Sequence, residues 1–345
     1  MSGAPEPRFG ILLSTNRLAG ERDADVVART LALTQQAESL GYDEVWVVEH
    51  HFTPDTVSPS ALALASFLLG RTRRLRVGSA VTLLPLHHPV HVAEQAALLD
   101  HLSGGRFLLG VGRGVPGVDQ EVFSAQGRWR DGLPEALDLV ADSFSGRVEA
   151  DSARYSFPSV SPVPAPLTPS GPPVYLAASS HGSAETAGSR GLPMLLYFDK
   201  YTRAKVELLD AHAKAAHDAG RDAHGHDHAF AAYAHVTEDR DEARDMLARR
   251  AASFAGRAAA QGEKPPPDMV ERITDVLESC HPVGTAAECA ERLVREITAT
   301  GCRRVLFHVE MSPDASGTSA ARNAERLARH VFPEVRRRLA PSGRG

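Results

Sequence analysis

Short apolar runs alternate with stretches of helical periodicity along this chain of 345 residues, and that alternation restricts the folds it can adopt. Eight runs indicate buried strands, over residues 9–14, 44–48, 76–85, 107–112, 174–178, 194–198, 229–236 and 304–309. Strands that are joined through helices must pair in parallel with right-handed crossovers. We therefore predict an α/β fold, a single-domain (β/α)₈ TIM barrel over residues 1–345, with an open doubly wound sheet as the alternative.

Apolar residues at helical spacing predict the helices between these strands. They cover residues 23–40, 61–69, 90–102, 133–144, 183–190, 202–219, 241–260, 269–279, 285–299 and 320–339. Ser58 and Pro59 are expected to start the second helix, as its cap and its first-turn residue. Three insertions, at about 115–132, 150–173 and 261–268, interrupt the pattern. Within them we predict a surface loop over residues 156–173 and a mobile segment over residues 261–268.

Composition excludes several classes of protein. The formal net charge of −5 provides no basic surface for nucleic acid. The three cysteines are odd in number and lack CxxC spacing, which disfavours a disulfide framework or a zinc site and fits a reducing compartment. No apolar run is long enough for a membrane span, and no signal-peptide pattern opens the sequence. We expect a soluble, cytoplasmic protein that acts on a small molecule and binds neither nucleic acid nor membranes.

The second predicted strand ends in titratable residues. Its apolar run, residues 44–48, is followed by Glu49, His50 and His51. In parallel α/β folds the carboxyl ends of the strands carry the active site, so these three side chains are candidates for catalysis. The alternative is a structural role, in which Glu49 orients one histidine and the other is solvated.

Two further strand ends suit an anion. Strand four runs into Arg113, which lies between two glycines and offers a forked donor where the backbone can approach a ligand closely. Strand five runs into a hydroxyl-rich turn that opens a helix and contains Ser179, Ser180 and Ser183. Because the two strands are expected to be neighbours, they predict a site for a phosphate-bearing cofactor. The sequence shows neither a GxGxxG motif after its first strand nor a P-loop.

Longer motifs resemble those of the bacterial luciferase-like monooxygenases. They are residues 44–52, 77–89, 99–114 and 190–194. The resemblance is strong over residues 9–200 and extends to the remainder only in the order of the elements. It implies a (β/α)₈ barrel that binds reduced FMN, or in one branch of the family the deazaflavin F420, at the carboxyl ends of its strands.

The resemblance also implies where the flavin would bind. Its phosphate would be held by Arg113 together with the turn of Ser179, Ser180 and Ser183. Its isoalloxazine ring would pack against strand three, where the family often has a non-prolyl cis peptide. The residues of that wall are Ser79, Ala80, Val81 and Thr82.

His50 is at the position that the luciferase branch uses for catalysis, and either Glu49 or His51 would orient it. The luciferases carry a reactive cysteine where this chain has Gly112 and an acid where it has Ser179. Light emission is therefore not expected, and the resemblance leaves an aldehyde substrate in doubt.

These features predict an enzyme that uses reduced FMN and O₂ to oxygenate a small organic substrate, with His50 as proton donor or acceptor. A separate flavin reductase would supply the reduced FMN. A homodimer is expected, because the family commonly pairs through helices of the first half and the helix over residues 58–69 is apolar on most of its circumference.

Three alternative functions remain open from the sequence. An F420-dependent oxidoreductase of the same fold would transfer a hydride, and a flavin-binding protein would have no turnover. A metal hydrolase would use Glu49, His50, His51 and His308. The last is disfavoured, and no metal is expected, because adjacent side chains on a strand point to opposite faces and cannot easily share one ion.

Overall fold

Eight parallel strands close into a barrel in which each strand pairs with the next along the chain and the last pairs with the first. In order, β1 to β8 are Arg8–Leu13, Glu44–Val47, Arg76–Ser79, Phe107–Gly112, Val174–Ala178, Met194–Leu196, Ala229–Tyr233 and Arg304–His308. This computed structural model describes residues 5–115, 117–260, 266–310 and 317–340. The predicted barrel is confirmed, and the alternative of an open sheet is wrong.

Helices surround the barrel between successive strands. In chain order, α1 to α13 are Asp23–Ser39, Ala61–Gly70, Pro89–Ser103, Val118–Val122, Gln126–Asp131, Leu133–Phe144, His181–Arg190, Thr202–Asp218, Arg240–Ala260, Met269–Cys280, Ala286–Thr300, Gly317–Arg326 and Phe332–Leu339. A 3₁₀ turn, Leu84–Leu86, precedes α3, and a π-helical turn, Leu327–Val331, joins α12 to α13. None of the described helices combines the length and the apolar content needed to cross a membrane.

Helix α11 shows how local chemistry sets the ends of these elements. The Thr285 hydroxyl accepts a hydrogen bond from the backbone N–H of Glu288 at 3.3 Å. The Glu288 carboxylate in turn accepts one from the backbone N–H of Thr285 at 2.9 Å. This reciprocal capping satisfies donors that the first turn would otherwise leave unpaired. The helix ends at Gly301, whose φ of +69° a residue without a side chain adopts easily.

The strands are buried on both faces, which explains why their sequences are apolar without strict alternation. In β1, Phe9 and Ile11 pack in the layer between the barrel and the helices, whereas Leu12 belongs to the cluster inside the barrel. In that inner cluster the rings of Trp46 and Tyr175 meet edge to face, with centroids 5.3 Å apart.

The amino-terminal end of the barrel, which we call the floor, is closed by ion pairs. Arg304, the first residue of β8, contacts the carboxylates of Glu44, the first residue of β2, and of Asp227. The side chains of Arg304 and Glu44 are almost completely buried. The opposite end, where the carboxyl ends of the strands lie, is the mouth.

Two strands end three or more residues before their predicted ends. The third stops at Ser79 and resumes only as Thr82–Leu83, which pairs with β4. The seventh stops at Tyr233, after which His235–Val236 pairs with Val283–Gly284 outside the barrel. The apolar runs continue past both barrel strands, so hydrophobicity alone did not mark where the strands end.

Other local predictions also change. The loop predicted over residues 156–173 is wrong in its first part, because Ser156–Val160 forms an antiparallel hairpin with Val148–Asp151. That strand buries none of its residues fully, so it lacks the apolar run of a core strand. The cap of α2 is Ser60, which accepts a hydrogen bond from the Ala63 N–H, rather than Ser58. The insertion at 115–132 contains α4 and α5, and residues 261–265 of the last insertion lie outside the described residues.

Candidate active site

Glu49 lies at the mouth, two residues after β2, and gathers groups from three elements. His87, which follows the 3₁₀ turn, donates from Nε2 to Glu49 Oε1 at 2.7 Å. The Nε2 of His51 lies 3.4 Å from the same oxygen. The backbone N–H groups of Ala61, at the start of α2, and of Leu83 also donate to the carboxylate, each at 3.3 Å. We call Glu49, His51 and His87 the Glu49 cluster.

The electrostatics of this cluster fix the charge of Glu49. Burial by itself raises the pKa of the carboxyl group, but hydrogen bonds from His51 and His87 more than offset it and lower the pKa to about 2. Glu49 is therefore ionised at neutral pH and can only accept hydrogen bonds. In a neutral His87 ring the proton must then sit on Nε2, which leaves Nδ1 as the atom that can take up a proton.

His50 and His51 differ in position, as expected for consecutive residues on an extended backbone. His51 turns toward Glu49 and keeps 10% of its side-chain surface accessible. His50 is exposed, and its backbone N–H donates to the carbonyl oxygen of Ser58 at 2.9 Å. The partner that Glu49 holds at the shorter distance is thus His87, which was not among the predicted site residues.

Glu49 lies two residues after β2, whereas His87 lies eight residues after β3, beyond Thr82–Leu83 and the 3₁₀ turn, so order along the chain did not point to His87. Its neighbour His88 has another environment, against the rings of Tyr155 and Phe157 at 5.8 and 5.4 Å. Only one residue of the His87–His88 pair can turn toward Glu49. Because 34% of the His87 side chain is accessible, a ligand at the mouth could reach it.

The predicted flavin wall lies where strand three is interrupted. The peptide bond between Ala80 and Val81 is cis, at the place where the resemblance implies one. Ser79 ties the broken strand to β4, because its hydroxyl donates to the Gly110 carbonyl at 2.7 Å and accepts from the Gly110 N–H at 3.0 Å. The Thr82 hydroxyl is buried and has no hydrogen-bond partner among the described residues.

Gly112 explains one departure from the luciferases. A Cβ atom added at this glycine would lie 2.7 Å from Cγ2 of Val81, closer than carbon atoms approach without a shift. Val81 therefore occupies the space that a cysteine side chain would need at this position. A cysteine at this position, as in the luciferases, would therefore require Val81 to move.

Arg113 extends from the end of β4 and is exposed. Its guanidinium carbon lies 4.6 Å from the centre of the Trp129 ring, a cation–π contact with α5. The indole N–H of Trp129 is buried without a hydrogen-bond partner in the described part of the chain. The planar cation is therefore positioned by a ring, and no carboxylate of the described residues forms an ion pair with it.

The serine turn follows β5, the strand next to β4, and begins α7. The Ser180 hydroxyl caps the helix by accepting from the Ser183 N–H at 3.3 Å. The Ser183 hydroxyl accepts from the N–H groups of Ser179 and Ser180 at 3.1 and 3.0 Å, so it is used within the turn. Ser179 and Ser180 are exposed at a helix amino terminus, where the helix dipole favours an anion.

The strand register brings the Arg113 side and the serine turn together. Val111 of β4 lies opposite Leu176 of β5, so both strands point the following residues to the same edge of the mouth. An exposed guanidinium beside a capped helix amino terminus fits a phosphate group. The unpartnered Thr82 hydroxyl, on the predicted ring wall, fits a ligand that hydrogen-bonds there. These residues therefore suit FMN.

Aromatic side chains form an apolar rim beside the Glu49 cluster. The ring of Phe123 lies 5.0 Å from that of His51 and 5.8 Å from that of Phe52. Phe52 is 57% exposed and has a φ of +55°, which is rare for an aromatic residue. Phe123 belongs to the insertion at 115–132, in which three valines are also exposed: Val115, Val118 and Val122. This rim offers an apolar surface to a ligand at the mouth.

The residues spaced for a metal ion in the structure differ from those that the sequence suggested. In the described ranges, the group of histidine and carboxylate side chains spaced for an ion is the Glu49 cluster, with ligand atoms within 4.8 Å of one another. His308 belongs instead to an aromatic contact, stacked 4.6 Å from Tyr233. In the Glu49 cluster both imidazole Nε2 atoms approach the same oxygen of an ionised carboxylate, whereas a metal ligand must present a lone pair. These are the contacts of a hydrogen-bonded group.

Comparisons with solved structures agree with the barrel fold. A solved structure of the monooxygenase RslO1 from Streptomyces bottropensis matches with a TM-score of 0.81 at 24% identity, over 94% of this chain and 99% of that one. The oxygenating constituent of 3,6-diketocamphane monooxygenase from Pseudomonas putida, solved in complex with FMN, matches with a TM-score of 0.77 at 16% identity, over 95% and 98% of the two chains. An F420-dependent secondary alcohol dehydrogenase shares the fold at a TM-score of 0.70 and 18% identity, over 96% and 99%.

Sequence comparison is more specific. The alkanal monooxygenase alpha chain of the Kryptophanaron alfredi symbiont is 31% identical over 326 residues, which cover 86% of this chain and 90% of that one. The sequence model of the luciferase-like monooxygenase family matches residues 8–304. With matches of this length, the chain belongs to the luciferase-like monooxygenase family.

Proposed function

We propose that this protein is a monooxygenase that uses reduced FMN and O₂ to oxygenate a small organic substrate. The observation that carries the proposal is that Arg113 and the capped turn of α7 follow adjacent strands, beside the interrupted third strand. FMN is favoured over F420 because the monooxygenase solved in complex with FMN superposes with a TM-score of 0.77, against 0.70 for the F420-dependent dehydrogenase.

The residues of the mouth would divide the binding of FMN between them. Arg113, Ser179 and Ser180 would bind the phosphate, and Ser183 would keep the turn in shape. The backbone from Ser79 to Thr82 would line the ring. When bound, reduced FMN supplies the electrons that activate O₂.

Protons would be managed by histidines at the mouth. We assign proton transfer to His50, which is exposed at the end of the β2 segment. Glu49 is a positioning residue, because a carboxylate with a pKa of about 2 does not release or take up protons near neutral pH. It orients His51 and His87, and His87 is a second group that could move a proton through Nδ1.

Two partners complete the proposal. A separate reductase would supply reduced FMN, since the described residues form the barrel and its insertions without a second nucleotide-binding fold. A homodimer would cover the face of α2 and α3 on which Phe67, Leu98 and Leu102 are 42%, 47% and 65% exposed. Light scattering should then give about twice the mass of one 37.0 kDa chain at micromolar concentration, and a monomer there would remove the dimer.

The cofactor is tested by titrating reduced FMN, oxidised FMN and F420 separately into the protein and following absorbance. Reduced FMN should bind and, on mixing with O₂ and a substrate, give an oxygenated product. Tight binding of F420 with hydride transfer would replace this function with the oxidoreductase alternative. Flavin binding without product from any aldehyde or ketone tried would favour the non-catalytic alternative.

A further inference from the structure

Three cations are buried in the described part of the chain, and one of them lacks an acidic partner. Lys205 lies 2.9 Å from Glu296, and Arg304 contacts Glu44 and Asp227 at the floor. Arg250, on α9, is only 6% exposed, yet no carboxylate of the described residues lies within ion-pair distance of it. A buried charge is costly unless it is paired, so this arginine calls for an explanation.

Aromatic groups surround the Arg250 guanidinium. Its central carbon lies 4.4 Å from the centre of the Tyr233 ring and 5.4 Å from that of Phe254. One terminal nitrogen donates to the Tyr233 hydroxyl at 2.8 Å. The Nε atom is buried with no hydrogen-bond partner among the described residues. Ring faces and one hydroxyl offset only part of the cost of removing a guanidinium from water, and they leave one of its donors unused.

The location of Arg250 connects it to the mouth. Tyr233 is the last residue of β7, and His308, the last residue of β8, stacks on it at 4.6 Å. Phe198, which follows β6, packs against the Tyr233 ring at 4.8 Å. Arg250 therefore lies beside the carboxyl ends of three adjacent strands. In a ring of eight strands β7 lies opposite β3, so this group faces the predicted flavin wall across the mouth.

We infer that Arg250 binds an anionic oxygen of the substrate, such as a carboxylate or an ionised enol or phenol. The guanidinium fork would supply the charge-assisted hydrogen bonds, and Phe198, Tyr233 and Phe254 would contact an aromatic or apolar body. The phosphate of FMN is assigned to the β4–β5 edge, so the two anions would occupy separate subsites. The identification of the ligand as a substrate rests on the proposed function. The preference of the subsite for an anion does not depend on that function.

Isothermal titration with two matched probes tests the subsite. The probes are 2-naphthoate and its neutral analogue 2-naphthamide, each titrated into the wild type and into R250M, R250K and R249M. We expect the wild type to bind the carboxylate about tenfold or more tightly than the amide. R250M should bind both probes equally, and R250K should keep part of the preference. R249M, which changes an exposed arginine next to Arg250 on the same helix, should behave as the wild type.

Several results would overturn the inference. One is that R250M keeps the wild type's preference for the carboxylate probe. Another is that the wild type itself does not prefer the carboxylate, or binds neither probe. If R250M does not fold, a crystal structure of the wild type with 2-naphthoate decides, because its carboxylate must contact the Arg250 guanidinium. FMN affinity is measured in parallel: a loss of FMN binding in R250M without a change in probe preference would assign Arg250 to the flavin instead. Failure of FMN binding in the wild type would contradict the proposed function and leave the probe result unaffected.

Discussion

Strand β2 has a buried glutamate at its start and another just beyond its end, and the two are held in different ways. Glu44, at the floor, is matched by Arg304, which also contacts Asp227. Glu49, at the mouth, has no lysine or arginine within ion-pair distance among the described residues and is held by imidazoles and backbone amides. Charges at the floor form ion pairs with one another between β2, β8 and Asp227, which lies two residues before β7. Charges at the mouth, Glu49 on one side and Arg250 on the other, stay separate and are held by imidazole, amide and aromatic groups.

If this division is correct, substitutions of ligand-binding residues at the mouth should lower activity, and substitutions of buried charges should lower stability, most of all at the floor. The largest effect is expected for His50→Ala. Product formation should fall by about 10²–10⁴, the usual loss when a general acid or base is removed, with hydrogen peroxide released in its place. FMN affinity should stay within a few-fold of the wild type, because His50 is not assigned to the phosphate or to the ring wall.

Rapid mixing of the enzyme with reduced FMN, O₂ and an aldehyde or ketone that the wild type oxygenates measures this. Product and hydrogen peroxide are scored together. His330→Ala, at an exposed histidine near the last helix, is the matched control and should change neither. Undiminished product from His50→Ala would return His50 to a structural role at the strand end.

The next effect is on stability, at the floor. Arg304→Met leaves the Glu44 carboxylate buried without its cation and should lower the free energy of unfolding by about 3–5 kcal/mol. Arg250→Met leaves no buried carboxylate unpaired, so its loss should be less than half as large. Urea denaturation of both variants measures the difference. Equal losses would show that floor and mouth do not differ in the way described.

Glu49→Gln should give a pH-dependent loss. The pKa of Glu49 is about 2 in the folded protein, below its ordinary value of 4.5, so ionised Glu49 stabilises the fold at pH values above about 4.5. That stabilisation, about 3 kcal/mol, should disappear as the pH falls from about 4.5 toward 2.

Urea denaturation from pH 7 down to pH 3 should therefore show the wild type and Glu49→Gln converging only below about pH 4.5. Glu325→Gln, at a surface glutamate that in the described part of the chain forms an ion pair with the exposed Arg329, is the control and should show little difference at any pH. A constant gap between wild type and Glu49→Gln down to pH 3 would mean that the Glu49 cluster does not hold the carboxylate in its ionised form.

The smallest effect is expected at the phosphate side of the mouth. Arg113→Ala should weaken FMN binding by about 1.5–3 kcal/mol, the scale of a charge-assisted hydrogen bond. Arg130→Ala, at another exposed arginine next to Trp129, should leave the affinity unchanged. Fluorescence titration of FMN into both variants compares them. Equal FMN affinity in Arg113→Ala and wild type would remove Arg113 from the site.

The sequence predicted the parts of this picture that depend on order along the chain. Alternating apolar runs and helices are enough to specify a parallel barrel, and parallel strands must place their carboxyl ends together. Hence Glu49, Arg113 and Ser179 could be assigned to one mouth before any contact between them was known. The serine turn was also predictable, because a cap and the helix that follows it are local.

The parts that could not be predicted depend on contacts between distant residues. His87 meets Glu49 only because strand three breaks between Ser79 and Thr82, which redirects the chain after it. Arg250 lies in a long helix whose periodicity does not reveal which strand its buried face will meet. Helical spacing shows that a position is buried, but the partner at that position follows from tertiary packing.

The most direct test of the mouth as the flavin site is a crystal structure of the protein grown anaerobically with reduced FMN. We predict the FMN phosphate at Arg113 and the amino terminus of α7, with the ring along the backbone from Ser79 to Thr82. The floor, with Arg304 still paired to Glu44, should be unchanged. A phosphate bound at any other part of the protein, or a mouth that contains no flavin at saturating FMN, would contradict the assignment.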